Sequence, residues 1–358
     1  MPRVFNFGAG PAVLPVEVLE EARDELLDFR GTGMSILESS HRGKAYAAVH
    51  EEAVANIRSL LGLTDEYEVV FTQGGASLQF AMVPLNLLEP GKTADYVNSG
   101  AWAAKAVKEA KLVGNVHVAA DTAEEMPTRV PEQGELELAA GAAYVHITSN
   151  ETISGAQWKA FPRTDAPLVA DMSSDILSRS FDATQFGLIY AGAQKNLGPA
   201  GLAVVVIRGD LAGRAPDSAP AMLKYSTYVE KDSLYNTPPC FAIYIVMLVT
   251  RWIMSKGQDR LYQRNVDKAG KLYAAIDSSD FFRGTAAPVC RSDMNVTFRL
   301  PTEELEAMFV KEAEGEGLKG LKGHRSVGGL RASIYNAFPV EGVDALVAFM
   351  REFERRNG

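Results

Sequence analysis

Tyr190-Ala-Gly-Ala-Gln-Lys-Asn-Leu-Gly-Pro-Ala-Gly201 is the stretch on which the reading of this chain turns. It begins at the end of an apolar run, Leu188-Ile189-Tyr190, and leads into a turn of small residues around Pro199. A second apolar run, Pro167 to Ala170, delivers Asp171 and then Met172-Ser173-Ser174. Short apolar runs bounded by turn residues read as buried strands, so Lys195 and Asp171 each stand at or just beyond a strand end. Ala191-Gly192-Ala193 and Gly198-Pro199-Ala200-Gly201 flank the lysine, and little side-chain bulk shields its amine. Small neighbours of this kind allow a flat ring to approach. A lysine and an acid at two strand ends suit pyridoxal phosphate: the amine condenses with the cofactor aldehyde, and the carboxylate keeps the pyridine nitrogen protonated. The ordinary alternatives are a solvated surface lysine and an aspartate that caps a turn.

Working outward, the apolar spacing alternates between two periods. Val18, Leu19, Ala22, Leu26 and Phe29 share one helical face, with Pro15 at the start and Gly31 at the end, and predict a helix from Pro15 to Phe29. Tyr46, Val49, Ala53, Ile57, Leu60 and Leu61 predict a second helix closed by Gly62. Short runs follow at Glu68–Phe71, Ala94–Val97, Ala143–Ile147, Leu168–Ala170, Leu188–Tyr190 and Leu202–Ile207, several of them separated by helix-like segments. That alternation predicts an α/β fold with a largely parallel sheet covered by helices and its chemistry at the strand ends.

Near residue 260 the pattern changes. A helix from Gln258 to Ile276 leads to the strand-like Met294–Leu300, an acidic helix from Thr302, a glycine-rich stretch from Gly315 to Gly329, and Leu330–Tyr335. A helix bearing Val343, Leu346, Val347, Met350 and Phe353 ends the chain. The expected division is an N-terminal segment, 1–14, packing with a small domain; a large domain, 15–260; and the small α+β domain itself, 261–358.

The 358 residues are enough to bury a substantial core. A hydrophobic content of 47% and a charged content of 23% are ordinary for a globular enzyme. The formal charge of −9 argues against non-specific nucleic-acid binding and against an anionic membrane surface, while leaving room for local arginine clusters. Cys240 and Cys290 form neither a disulfide framework nor a zinc-like spacing, so no metal is expected. The start lacks a secretory apolar region, and the apolar run from Phe241 to Thr250 is too short to span a bilayer and reads as a buried helix. A cytoplasmic location is expected.

Gln73-Gly-Gly-Ala-Ser-Leu-Gln-Phe80 follows the Phe71 strand and opens a helix. Backbone amides at such a turn, with Ser77 beside them, can cradle a phosphate; an ordinary strand-to-helix turn has the same look. There is no GxxxxGK[ST] segment, and Gly8-Ala-Gly10-Pro lacks the third glycine of a dinucleotide fingerprint. Trp102, among small residues in Ser99-Gly-Ala-Trp-Ala-Ala104, either stacks on a cofactor ring or fills a core. Thr152, in Asn150-Glu-Thr-Ile-Ser-Gly155, either bonds a ring substituent or caps a turn. His41-Arg42 and His324-Arg325, each beside glycine, fit a pocket for a doubly charged anion or are solvated basic turns.

Taken together, these residues make the chain resemble the phosphoserine aminotransferase family, class V enzymes of fold type I that use pyridoxal 5'-phosphate. The resemblance runs from Phe5-Asn-Phe-Gly-Ala-Gly-Pro-Ala12 to Ala348-Phe-Met-Arg-Glu-Phe-Glu-Arg-Arg356. It is carried by Ser40-His-Arg-Gly-Lys44, Ala94–Val97, Asn150-Glu-Thr152, Tyr190–Gly201, Asn236-Thr-Pro-Pro239, Lys322-Gly-His-Arg325 and Val327–Ala337. It implies a large domain on a mostly parallel sheet and a smaller C-terminal α+β domain. It also implies that Lys195 binds the cofactor and shuttles the substrate proton, that Asp171 pairs with the pyridine nitrogen, that Trp102 stacks on the ring, and that Thr152 bonds its edge. Ala76, Ser77 and Gln194 would meet the phosphate. Asn236 and Thr237 would reach it from the neighbouring subunit of a homodimer.

The implied reaction is transfer of the amino group of glutamate to 3-phosphohydroxypyruvate, giving O-phosphoserine and 2-oxoglutarate for serine biosynthesis. A related substrate leading to 4-phosphohydroxythreonine in vitamin B6 synthesis is a further possibility. Arg331 suits the α-carboxylate, because a guanidinium offers a bidentate match. His41, Arg42, His324 and Arg325 are candidates for the distal anion. Two departures stand out. Ala76-Ser77 occupies the place where some members carry Gly-Arg, removing one cationic contact, and Ala9 replaces a serine of some members. The rivals are an alanine–glyoxylate aminotransferase, a cysteine desulfurase, which neither cysteine's setting suits, and a noncatalytic phosphometabolite-binding protein.

Overall fold

Apolar spacing sets the opening helices, but tertiary contacts decide where the first one stops. In the computed structural model, which describes residues 3–358, a short strand β1 (Phe5–Asn6) precedes α1 (Val16–Asp24). The helix expected to reach Phe29 ends five residues earlier. Tyr244 donates a hydrogen bond to the Glu25 carboxylate at 2.6 Å, and Phe29 turns inward to meet the Tyr244 ring edge-on at 5.6 Å. Arg30 takes a positive φ of 51° to complete the turn. Burial of Phe29 thus overrides the helical period. The second helix, α2 (Lys44–Leu61), ends as read, at Gly62 in the left-handed conformation with φ 60°.

The main sheet is built from β2 (Tyr67–Gln73), α3 (Gly75–Leu87), β3 (Thr93–Asn98), α4 (Ala101–Ala110), β4 (Asn115–Asp121), β5 (Val145–Thr148), β6 (Leu168–Asp171), β7 (Phe186–Gly192) and β8 (Leu202–Arg208). Its order is β2-β8-β7-β6-β5-β3-β4. The pairs from β7 across to β4 are all parallel, and β8 is antiparallel to both β7 and β2. β2 therefore runs the same way as β7, and only β8 is reversed. β4 was not legible as a strand because it lies at the sheet edge with both ends exposed, so Asn115-Val-His-Val-Ala never forms a clean apolar run.

Side chains alternate across the central strands, as the period of two requires. Ala170, Ile189, Val204 and Val206 face a core shared with α2 and with α7 (Cys240–Lys256), which follows the shorter α5 (Gly209–Ala212) and α6 (Tyr225–Glu230). Val169, Leu188, Val205 and Ile207 face the opposite core, under α3, α4 and α6. The apolar run from Phe241 to Thr250 is the buried body of α7, and among the described residues no single helix is long and apolar enough to cross a membrane.

The rest of the chain has its own core. α8 (Gln258–Asp277), β9 (Arg283–Gly284), β10 (Asn295–Arg299), α9 (Glu303–Gly315), β11 (Leu318–Lys319), β12 (Leu330–Ser333) and α10 (Val340–Asn357) follow in order. β12, β10 and β9 form an antiparallel sheet, and Leu272, Phe298, Phe309, Leu346 and Phe353 bury together against it. β1 pairs in parallel with β11, and Phe7 is buried in this same core. Residues 1 and 2 of the expected N-terminal segment lie outside the described residues.

Asparagines join the two bodies. Asn265 on α8 donates to Asn336, whose backbone amide donates to Asn196, the neighbour of Lys195. Beside them the fully buried Lys268 amine donates to the carbonyls of Ile334, Tyr335 and Phe338 at 2.8, 2.7 and 3.3 Å. Burial drives that amine's pKa well down. Lys268→Met removes the donor that reaches all three carbonyls while keeping most of the volume; Tyr335 O retains the Phe338 amide and Phe338 O retains Arg264, so the Ile334 carbonyl loses most. It should lower stability by about 2 kcal/mol, the cost of stranding a buried acceptor. Thermal and denaturant unfolding measure this; an unchanged midpoint would mean that the carbonyls find other partners.

Candidate active site

The strands β2, β5, β6 and β7 share one direction, so the segments leaving their carboxyl ends meet at one sheet edge. There they enclose a cavity of about 300 Å³, closed from the other side by Ala9, Gly10, His324 and Arg331. Lys195 reaches it from the turn after β7, which the amides of Leu197 and Gly198 lock by donating to the Ala193 carbonyl. Its amine donates to Thr152 Oγ1 at 2.6 Å and lies 5.2 Å from the centre of the Trp102 ring. Burial pushes the amine's pKa down from 10.5 to about 8, against the opposing pull of the Asp171 and Glu151 carboxylates. Gly10 passes so close that a Cβ there would stand 3.3 Å from Lys195 Cγ, at a φ of 147°.

Asp171 is buried at the end of β6. Its Oδ1 accepts from the amide and hydroxyl of Ser173 at 2.9 and 2.5 Å, and Ser173 Oγ in turn accepts from the Gly192 amide. These bonds fix the carboxylate while Oδ2 keeps no protein donor among the described residues. Burial raises the carboxyl's pKa, and the Lys195 charge and the Ser173 bonds hold it down.

After β2 the chain turns through Gly74 and Gly75, with φ of 85° and 62°, into α3. A Cβ on Gly74 would come within 2.8 Å of Leu78 Cβ. No side chain caps α3, so the first-turn amides around Ala76 and Ser77 face the cavity unsatisfied, a ready anion site. Further donors are stranded around the same space. Trp102 Nε1 and Arg331 Nε are buried without partners, although Arg331 Nη1 donates to the Thr152 carbonyl at 3.3 Å. A condensable amine, a fixed acid, an aromatic face and an anion cradle are what pyridoxal phosphate requires. The residues present fit that cofactor.

Comparison with known proteins agrees. Residues 4–346 match the class-V aminotransferase family. A phosphoserine aminotransferase from Niallia circulans is 58% identical over 359 residues, covering 99% of each chain, and one from Desulfatibacillum aliphaticivorans is 57% identical with the same coverage. The chain belongs to the phosphoserine aminotransferase family. The solved structure of a family member from Bacillus circulans subsp. alkalophilus superposes with a TM-score of 0.96 at 57% identity over 99% of both chains. A PLP-bound phosphoserine aminotransferase from Trichomonas vaginalis superposes with 0.94 at 41% identity, covering 98% of this chain and all of its own. An alanine–glyoxylate aminotransferase from Nostoc, at 18% identity and a TM-score of 0.79, shares the fold alone.

Most of the family positions read from the sequence meet in the cavity: Ala76, Ser77, Trp102, Thr152, Asp171, Gln194, Lys195, His324 and Arg331. Others do not. Asn236 and Thr237 are outside the lining; Asn236 Nδ2 makes a long 3.5 Å contact to Gln73 Oε1, and Asn236 Oδ1 and Gln73 Nε2 are buried without partners. His41 and Arg42 sit in the turn before α2, away from this cavity, with Arg42 exposed. The pocket expected from two His-Arg pairs is therefore met within one chain by His324 alone. Arg325 lines an adjoining cleft beside α9 with Lys322, on the loop closed by the Gly323 amide on the Gly329 carbonyl, and His324 borders both spaces. Burial and the charges of Arg331, Lys105 and Arg325 lower the His324 pKa.

Sequence reading gave no role to Ser173 or Glu151, although both stand in quoted motifs. The contact of Ser173 with Asp171 was within reach, since they stand two positions apart; that of Glu151 was not, since its partners lie on α4.

In the cofactor-free protein, Lys195 should condense with a small aromatic aldehyde at a rate that rises with pH through about 8, as the neutral amine appears. Asp171→Asn removes the charge that raises this pKa most, so the midpoint should move to lower pH. Trapped-adduct formation at position 195 against pH measures both. A midpoint near 10.5, the ordinary lysine value, would contradict the buried environment.

Proposed function

We propose that this cavity transfers the amino group of L-glutamate to 3-phosphohydroxypyruvate, yielding O-phospho-L-serine and 2-oxoglutarate, with pyridoxal 5'-phosphate as cofactor. The observation that carries this reading is the Lys195 amine, buried beside Asp171 and Thr152 in a cavity edged by Arg331. When bound, the cofactor supplies an aldehyde for the amine and a ring that accepts the electron pair left when the substrate Cα loses its proton.

The chain's own groups do the rest. Lys195, whose neutral fraction rises because burial lowers its pKa to about 8, takes the proton from the substrate Cα as general base and returns it as general acid. Asp171, held by Ser173, keeps a proton on the pyridine nitrogen. The α3 amides, with Ser77 and Gln194, anchor the phosphate, and Trp102 covers one face of the ring. Arg331 takes the α-carboxylate that glutamate and phosphoserine share, and His324 favours the distal anion, with Arg325 in the adjoining cleft. Each half-reaction releases its product before the next substrate enters, so the kinetics are ping-pong.

Two sites per homodimer complete the reading, with Asn236 and Thr237 serving the neighbouring subunit's cofactor. They are outside the lining of their own chain's cavity, and exposed apolar side chains are available for a partner: Tyr235 beside Asn236, and Leu27, Met34 and Leu37 on the segment whose Phe29 packs on Tyr244 of α7. We assign the bodies as a large domain, 15–260, and a small domain, 261–358, with the N-terminal segment strapped to the small one. The two free cysteines fit a cytoplasmic enzyme. Use of the vitamin B6 precursor is a second substrate to assay.

A coupled assay of glutamate with each phosphorylated keto acid tests the reaction; no turnover of either would overturn it. Arg331→Lys should raise the apparent KM for glutamate and phosphoserine together, on the order of tenfold or more, since the bidentate contact is lost for both. A loss confined to one substrate would place Arg331 at the distal group. Shared sites have a separate test. Mixing Lys195→Ala subunits with Asn236→Ala/Thr237→Ala subunits should restore about a quarter of parental activity, one intact site in each hybrid dimer. No restoration would mean that Asn236 and Thr237 serve their own chain.

A further inference from the structure

Three buried acids stand near Lys195. Asp171 faces the cofactor position, and Asp175 is held by Ser149 and Gln157. Glu151, fully buried, has no task in the chemistry above beyond its pull on the Lys195 amine. Its side chain crosses to α4, where Oε2 accepts from the Trp102 amide at 3.2 Å and Oε1 from the Ala103 amide at 3.0 Å. The residue before that helix, Gly100, cannot cap it, and a Cβ there would stand 2.6 Å from Glu151 Cδ. α4 thus takes its N-terminal cap from a residue of another segment. The backbone of Glu151 is locked as well: its amide donates to Ala156, and its carbonyl accepts from Gly155, both at 2.8 Å. That turn presents Thr152, the acceptor of the Lys195 amine.

We infer that Glu151 is a positioning residue for the cofactor site: its carboxylate fixes the first turn of α4, so that the Trp102 indole meets the cavity in register with Thr152 and Lys195. The inference rests on the cavity being the pyridoxal phosphate site. Two convergent amides need two acceptor oxygens, and the helix N-terminus favours a negative charge there. Burial raises the carboxyl's pKa to about 7, while the two amides and Lys195 act to keep it ionised. An amide side chain would turn a donor toward one of the two N–H groups, leaving a buried pair of donors face to face.

The chain has three tryptophans, so Trp158→Phe/Trp252→Phe leaves Trp102 as the only indole emitter. In that background, cofactor-free protein with and without Glu151→Gln is compared by Trp102 emission and by acrylamide quenching. Pyridoxal phosphate is then titrated in, following loss of indole emission and borohydride trapping at Lys195. With Glu151→Gln, Trp102 should become more accessible to acrylamide before any cofactor is added. The cofactor dissociation constant should rise roughly tenfold, the weight of one buried cap, while trapping at Lys195 persists. Glu151→Ala should do the same if it folds, and circular dichroism shows whether it does. A Glu151→Gln protein with parental Trp102 quenching and parental cofactor affinity overturns the inference, even if it melts at a lower temperature. If the background protein itself takes up no cofactor at Lys195, the cofactor reading of the cavity fails and the inference falls with it.

Discussion

The common direction of β2, β5, β6 and β7 is the constraint on which the site depends. Parallel strands deliver their carboxyl ends to one edge, so an amine after β7, an acid ending β6, a hydroxyl after β5 and an uncapped helix after β2 converge without any local sequence relation. The reversed β8 serves the same end. It carries the chain back between β2 and β7 and places the Gly74 turn beside the Lys195 turn, where the Gly74 amide donates to the Gly201 carbonyl. The second body then closes the edge: Arg331 from β12 and His324 from the glycine-rich loop face groups from the main sheet across the cavity.

Burial at that edge sets the protonation states that the chemistry needs. Desolvation alone would make every ionisable group neutral, raising the acids and lowering the lysine. The lysine is brought to about 8 because Asp171 and Glu151 pull against its desolvation. At Asp171 burial raises the carboxyl's pKa, and the Lys195 charge and the Ser173 bonds oppose that rise. Each group's state is therefore set by its neighbours, and a single substitution shifts more than one pKa. His146, buried beneath the sheet edge and bonded to Tyr190, shows the contrary case: with no opposing charge nearby, burial drives its pKa down to about 3 and holds it neutral.

The legible parts of this protein were those whose signal is local. Runs such as Leu202–Ile207 and Leu168–Ala170 are apolar on both sides because β8 and β6 are covered on both faces, and they read as strands at once. Gly62 and Gly74 announced their turns because only glycine adopts those conformations without strain. Lys195 and Asp171 were visible because strand ends and small neighbours leave a mark on the sequence. What escaped depended on distant partners: α1 stops where Tyr244 claims Glu25 and Phe29, β4 is an edge strand with half-buried residues, and Glu151 caps a helix from another segment.

The same distinction separates cofactor recognition from substrate recognition. A net charge of −9 disfavours anionic ligands at long range, so a doubly anionic substrate must be held by cations concentrated at short range. Within one chain the cavity has Arg331 and His324, while Arg325 and Lys322 line the adjoining cleft and His41 and Arg42 stand apart from both. Arg331 sits inside a strand, with Nη1 bonded to the carbonyl of Thr152, and its position is set by two packed bodies. His324 and Arg325 sit on a loop whose left-handed glycines, Gly328 and Gly329, have φ of 68° and 67° and are braced by Arg299 and Glu306. On the proposed reading the common α-carboxylate would meet a rigid cation, and the group that differs between the substrates would meet basic side chains on a loop. Placing discrimination on the loop lets one fixed lysine serve two acids of different length, because only the loop has to accommodate the difference.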